Sequence, residues 1–132
     1  MSNYTFFLIK PDAFEKQKVG LIFTFMESAG FELCDIRSVV AIQRLLEDHY
    51  KDHKGKDFYP GLIASMVNKP VIAISARYTQ NKFNNAILAG RNLADHIRRT
   101  LVPPDSGPRN LIHASDSEYA ADREYLIWFV QQ

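Results

Sequence analysis

Four histidines, a lysine that ends an aromatic run and a group of arginines are the residues whose types could do chemistry. His113 follows Asn110-Leu111-Ile112 and stands two residues before Ser115. Ser115-Asp116-Ser117-Glu118 has the Ser-x-x-Glu form of a capping box, which predicts a helix opening there and running toward Glu124. An imidazole just ahead of a helix lies near free backbone N–H groups, a setting that favours an incoming anion. A neutral imidazole nitrogen is also a competent nucleophile toward phosphorus, provided something orients the other nitrogen. Local features alone still favour a structural histidine at this position.

The other candidates read more simply. His49 and His53 are spaced i, i+4, which can hold a metal, but no third ligand and no HExxH pattern accompanies them, so they read as a solvated helix face. His96, among Arg91, Arg98 and Arg99, reads as a surface residue. Lys10-Pro11-Asp12 closes the first apolar run with a cation, at the strand end where α/β sheets often place ligand-binding side chains. Arg91, Arg98, Arg99 and Arg109 either clamp phosphates or solvate a helix. Neither a Gly-x4-Gly-Lys nor a GxGxxG pattern occurs. Any phosphate site here must therefore be built from side chains.

The elements that would position these residues alternate along the chain. Tyr4 to Ile9 is aromatic and β-rich and predicts a strand, stopped by Pro11. Val19, Ile22, Phe23 and Met26 recur at helical spacing and predict a helix from Val19 to Ala29, capped by Gly30. Leu21 and Phe25 widen that stripe, which suggests a second contact surface such as another subunit. Strands are expected over Phe31 to Ile42 and Val71 to Tyr78, the latter apolar on both faces and so central. Short helices are expected over Leu45 to His53, Pro60 to Val67 and Asn81 to Leu88, with Gly90 as a stop. Pro103 to Pro108 is a loop by its turn chemistry, and Tyr125 to Val130 reads as the last strand. The order β-α-β-α-β-α-β predicts an α/β (α+β) fold: a ferredoxin-like sandwich, its four-stranded antiparallel sheet covered by helices.

Composition bounds the answer. The 132 residues suit a single domain spanning 1–132, and 46% apolar residues supply a core and exclude a disordered chain. Sixteen basic against fifteen acidic residues leave a net charge of +1, which gives no general argument for nucleic-acid or membrane binding, and neither is expected. Cys34 is the only cysteine, so no internal disulfide forms, and its apolar surroundings suggest a buried structural thiol. The first residues carry no signal-peptide pattern, and the longest apolar run is far too short to span a bilayer. A cytoplasmic protein is expected.

Taken together, the motifs resemble those of nucleoside diphosphate kinases. Lys10-Pro11-Asp12-Ala13, His49-Tyr50 followed by Gly55-Lys56-Asp57-Phe58, Arg109-Asn110-Leu111-Ile112-His113, Ala114-Ser115-Asp116-Ser117, Glu124 and Trp128-Phe129 occur in that family's order from about Tyr4 to Phe129. The resemblance implies a ping-pong transfer of the γ-phosphoryl group from a nucleoside triphosphate, ATP included, to a nucleoside diphosphate. It makes His113 the carrier of the phosphate as phosphohistidine, with Glu124 orienting the imidazole and Ser115 supporting the site. It assigns Lys10, Tyr50, Arg98 and Asn110 to phosphates or ribose, and Phe58, with Leu62 beside it, to the base. Mg2+ held by the substrate phosphates, with no direct protein ligand, and a homo-oligomer are further implications.

This chain also departs from the family pattern. The arginine of a family Gly-Arg pair falls on Ala86, with Arg91 nearby as its replacement. The segment from Gly90 to Arg98 is several residues shorter than the family loop and lacks its threonine and prolines, while Asn92 offers a substitute polar group. That shortening is the feature favouring an alternative, a catalytically weak nucleotide- or protein-binding module of the same fold.

Overall fold

The computed structural model describes residues 3–80 and 85–131. Strands β1 (Tyr4–Ile9), β2 (Phe31–Val40), β3 (Pro70–Tyr78) and β4 (Ile112–Ala114) form one antiparallel sheet in the order β2-β3-β1-β4. Helices α1 (Pro11–Glu15), α2 (Val19–Ser28), α3 (Gln43–His49), α4 (Tyr59–Met66), α5 (Ala86–Leu101) and α6 (Glu118–Tyr125) surround it. The expected ferredoxin-like α/β sandwich is therefore present.

Period-two alternation sends the interior strands to two cores. Phe7 and Ile9 of β1 join Ile72, Ile74 and Ala76 of β3 beneath Ile22 and Met26 of α2 and Leu93, Ala94 and Ile97 of α5. On the opposite face Phe6, Leu8, Val71 and Ala73 meet Leu45 and Leu46 of α3, Leu62 and Met66 of α4, and Trp128. Because β1 and β3 are covered on both sides, they read as continuous apolar runs.

Several sequence expectations change. Tyr125 to Val130 is not a strand. Its first residue ends α6, and Leu126–Val130 continues as a π-helical turn that buries Ile127 and Trp128 and exposes Leu126 and Val130. A short apolar run of this kind has no period that separates strand from buried helix, and no Gly or Pro interrupts it. The fourth strand is Ile112–Ala114. The helix cap is Ser117, whose hydroxyl accepts the Ala120 N–H at 3.0 Å, and not Ser115.

The helix expected from Asn81 has its first four residues outside the described ones. Helix α5 begins at Ala86 and continues through Gly90. Gly90 is no stop: a Cβ there would lie 3.1 Å from Thr5 Cγ2 and 3.3 Å from Phe7 Cζ, so the glycine lets α5 press against β1. The shortened segment from Gly90 to Arg98 is consequently helix throughout rather than loop. Cys34 sits at a register break between Leu33 and Asp35 on the edge strand β2 and is exposed, not buried. No helix among the described residues is long and apolar enough to cross a membrane.

Candidate functional site

Pairing of β4 with β1 decides where the candidate histidine goes. His113 lies opposite Leu8, near the end of β1 from which Lys10 leaves the sheet. The Lys10 N–H donates to the Leu111 carbonyl at 2.8 Å, and the Ser115 N–H to the Phe6 carbonyl at 3.0 Å, so the backbone is clamped on both sides of His113. Leu111 has a φ of 74°, and the Ile112 N–H donates to the Asn110 carbonyl at 2.8 Å. This is a tight γ-turn about a left-handed leucine, a strained arrangement that needs external support. Asp12, buried in α1, provides it by accepting the Leu111 N–H at 3.1 Å.

Glu124 approaches from α6. Its Oε1 accepts from His113 Nε2 at 2.9 Å and from the Ser115 hydroxyl at 2.5 Å. Both supporting side chains are buried, Glu124 at 3% and Ser115 at 0% exposure. A carboxylate only accepts, so the imidazole hydrogen resides on Nε2 and the lone pair on Nδ1. Nδ1 has no hydrogen-bond partner among the described residues. An oriented imidazole with a free lone pair is a nucleophile.

Two cavities share His113, Tyr50, His53 and Arg98. The larger, of about 380 Å³, also holds Lys10, Phe58, Leu62 and Asn110. The smaller, of about 270 Å³, adds Arg91, Ala94 and Asp95 from α5, together with Asp52, Asp116, Arg123 and Glu124. Lys10 Nζ donates to Asn110 Oδ1 at 2.8 Å and to the Pro108 carbonyl at 3.2 Å. Burial, followed by the neighbouring Arg98 charge, lowers the Lys10 ammonium to about 8. Burial also raises the Tyr50 phenol well above its usual range, so it stays a hydroxyl donor. Arg98 reaches Asp95 at 3.4 Å and the Ile112 carbonyl at 2.5 Å.

Unsatisfied donors concentrate here. Five buried side-chain polar atoms lack a partner among the described residues, and three of them are Arg98 Nε, Arg123 Nε and His49 Nε2. All three residues line the smaller cavity. Left without acceptors, such donors are costly, and the two arginine cations favour an anion in the cavity they line.

The structure thus brings Lys10, Tyr50, Phe58, Leu62, Arg98, Asn110 and His113 around one cavity, places Arg91 with Glu124 around the other, and puts Ser115 behind Glu124. Phe58 is 52% exposed at the cavity mouth, with Lys56 Nζ 5.8 Å from its ring centroid. Arg109 does not join them but pairs with Glu15, and Arg99 is exposed beside the proline loop. His96 is exposed, edge-on to Phe25. His49 is not on a solvated face. It is 3% exposed and touches His113, while His53 lies on a separate 3-10 turn. Sequence reasoning also missed Arg123, which donates to the Asp48 carbonyl at 2.7 Å and ties α6 to the end of α3. Neither contact has a sequence signal, because both join segments about 70 residues apart.

An antiparallel α/β sandwich that holds an oriented imidazole beside cationic side chains suits the phosphotransferase class. The description "Nucleoside diphosphate kinase" belongs to the family model that matches residues 3–132. A nucleoside diphosphate kinase of Schizosaccharomyces pombe is 36% identical over 97% of this chain and 87% of its own length. One from Gallus gallus is 35% identical over 95% and 84%. The apo crystal structure of nucleoside diphosphate kinase from Encephalitozoon cuniculi superposes with a TM-score of 0.82 at 25% identity, covering 96% of this chain and 88% of that one. The chain belongs to the nucleoside diphosphate kinase family. Its activity is phosphoryl transfer from a nucleoside triphosphate to a nucleoside diphosphate, by way of a phosphohistidine.

Proposed function

We propose that His113 is the phosphate carrier and that the residues around it hold one nucleotide at a time. In the first half-reaction the Nδ1 lone pair attacks the γ-phosphorus. A P–N bond forms, the bond to the bridging oxygen breaks, and the diphosphate leaves with that electron pair. In the second, a terminal oxygen of an acceptor diphosphate attacks the same phosphorus and the P–N pair returns to Nδ1. No proton needs to leave the ring, because Glu124 keeps the Nε2 hydrogen engaged and offsets the positive charge that develops on the imidazole. The observation that carries this reading is the Glu124–His113 bond, which leaves Nδ1 unengaged on a residue that lines both cavities.

Lys10, Arg98 and Arg91 supply positive charge to the phosphate oxygens, and the Tyr50 hydroxyl adds a donor. Lys10 with Asn110 addresses the ribose, and the base stacks on Phe58 beside Leu62. Such stacking contributes about 1–3 kcal/mol and discriminates little among bases. The family uses a divalent metal, and Mg2+ is the assignment here. Asp52 and Asp116 line the smaller cavity and suit a hard, hydrated cation reached through water. When bound to the substrate phosphates it neutralises their charge. A cytoplasmic homo-oligomer completes the proposal.

Incubation with γ-labelled ATP, quenching and gel analysis tests it. The expected product is an acid-labile, alkali-stable phosphate on the wild-type chain and none on His113→Ala. Absence of label on folded wild-type protein would overturn the assignment.

A further inference from the structure

His49 is unused by the mechanism above, yet it is the aromatic neighbour closest to the nucleophile. Its ring centroid lies 4.5 Å from that of His113 at an interplanar angle of 75°, and 4.5 Å from that of Tyr50. Trp128 Nε1 is 3.0 Å from His49 Nδ1. An indole N–H can only donate, so Nδ1 must be the acceptor and the single ring hydrogen of His49 must be on Nε2. Trp128 therefore decides the tautomer of His49. Full burial, then the nearby His113, also pushes His49 well below the usual imidazole range and keeps it neutral.

This lock has a consequence for the cluster around it. A nitrogen of His49, a nitrogen of His113 and a carboxylate oxygen of Glu124 lie within 4.8 Å of one another, the spacing of a metal site. With hydrogen on Nε2 and Nδ1 engaged by Trp128, His49 has no lone pair to give to a metal. For the same reason it cannot accept the His113 N–H. Were the tautomer reversed, a second acceptor would compete with Glu124 at the catalytic imidazole.

We propose that His49 is a positioning residue for phosphoryl transfer: held by Trp128 as a non-accepting neighbour, it leaves Glu124 as the sole acceptor for His113 and so keeps the nucleophilic lone pair on Nδ1. The proposal rests on His113 being the phosphate carrier. Its role is exerted through His113 and requires no contact with the nucleotide.

The test uses 15N-histidine-labelled full-length protein. In the wild type, two-bond 15N–1H spectra are expected to show His49 as the Nε2–H form and uncharged from pH 5 to 9, and His113 as the Nε2–H form when neutral. Trp128→Phe and His49→Gln, the latter bringing an amide oxygen that can accept, are each expected to produce a mixed His113 tautomer. The single-turnover rate of phosphorylation by ATP should fall about tenfold, with nucleotide dissociation constants within about twofold, as for a misdirected nucleophile. A protonated His49 in the wild type, or its Nδ1–H form, would overturn the proposal even if neither variant folds. So would an unchanged His113 tautomer in folded variants, whatever their rates. Failure of the wild type to form phosphohistidine would instead strike the carrier assignment, while the wild-type spectra still decide the lock.

Discussion

The carboxylate of Asp12 and the backbone N–H of Leu111 are 3.1 Å apart and bridge 99 positions of sequence. Through that bond the first turn after β1 supports the strained turn that delivers His113. Asp12→Ala leaves a buried N–H unpaired beside a left-handed leucine, so a loss of about 1–3 kcal/mol is expected in urea unfolding. Activity of the folded variant should fall more than its nucleotide affinity. An unchanged denaturation midpoint would show that the turn holds itself.

His113→Gln should abolish turnover while leaving nucleotide binding largely intact, since Phe58 and Lys10 remain in the larger cavity. Coupled-assay rates above about a hundredth of wild type would argue against a covalent carrier, whose removal normally costs far more.

Glu124→Gln replaces an acceptor-only group by one that offers two donors, and it meets both His113 and the Ser115 hydroxyl. Pre-steady-state phosphorylation should slow by more than tenfold, and nucleotide dissociation constants should change far less. Equal losses in the two measurements would make Glu124 a structural residue only.

Lys10 gives opposite pH signatures in two experiments. Nucleotide phosphates favour its protonated form, so affinity should decline as pH rises through about 8. For folding the sign reverses. The unfolded lysine keeps its proton up to the ordinary lysine value of 10.5 and the folded one releases it near 8, so the unfolded state binds more protons between these values. The Lys10 contribution to stability should therefore increase with pH across that window. Titration calorimetry and urea melts from pH 7 to 10 check both, with Lys10→Met expected to flatten each trend.

Arg91 lines the smaller cavity, whereas Ala86, onto which the family resemblance maps an arginine, is buried. If Arg91 takes over that contact, Arg91→Ala should raise KM for nucleoside triphosphates by about tenfold or more, with a smaller effect on kcat. A contact to phosphate from a charged donor contributes about 1.5–3 kcal/mol. An unchanged KM would remove Arg91 from the site.

What could be read in advance divides along physical lines. The strands β1 and β3, with their aromatic and branched residues, were legible because local pattern and burial agree. Lys10, Phe58, Asn110 and His113 stood out through motif order, although nothing local lifted His113 above a structural histidine. Tyr125 to Val130 misled because a buried helical turn and a strand share one composition. Ser115 resembled a cap, yet its hydroxyl serves Glu124 while Ser117 does the capping. Gly90 carried a helix-stop signal whose true cause, the approach of α5 to Thr5 and Phe7, is tertiary. His49 showed only helical spacing in sequence. Its neighbours Trp128 and His113 are brought to it by folding.

Helix α5 also bears on how this site tolerates change in length. Arg91, Ala94, Asp95 and Arg98 share the cavity wall at offsets of three, four and seven. A loop absorbs an added or deleted residue by bulging, but a helix passes it on as a rotation of about 100° per residue. One inserted residue between Arg91 and Arg98 would swing one arginine off the wall and, with it, turn part of the buried face formed by Gly90, Leu93, Ala94 and Ile97 away from the sheet. Indels in this stretch are therefore filtered by phase, and a full turn is the smallest step that returns both arginines to the same cavity.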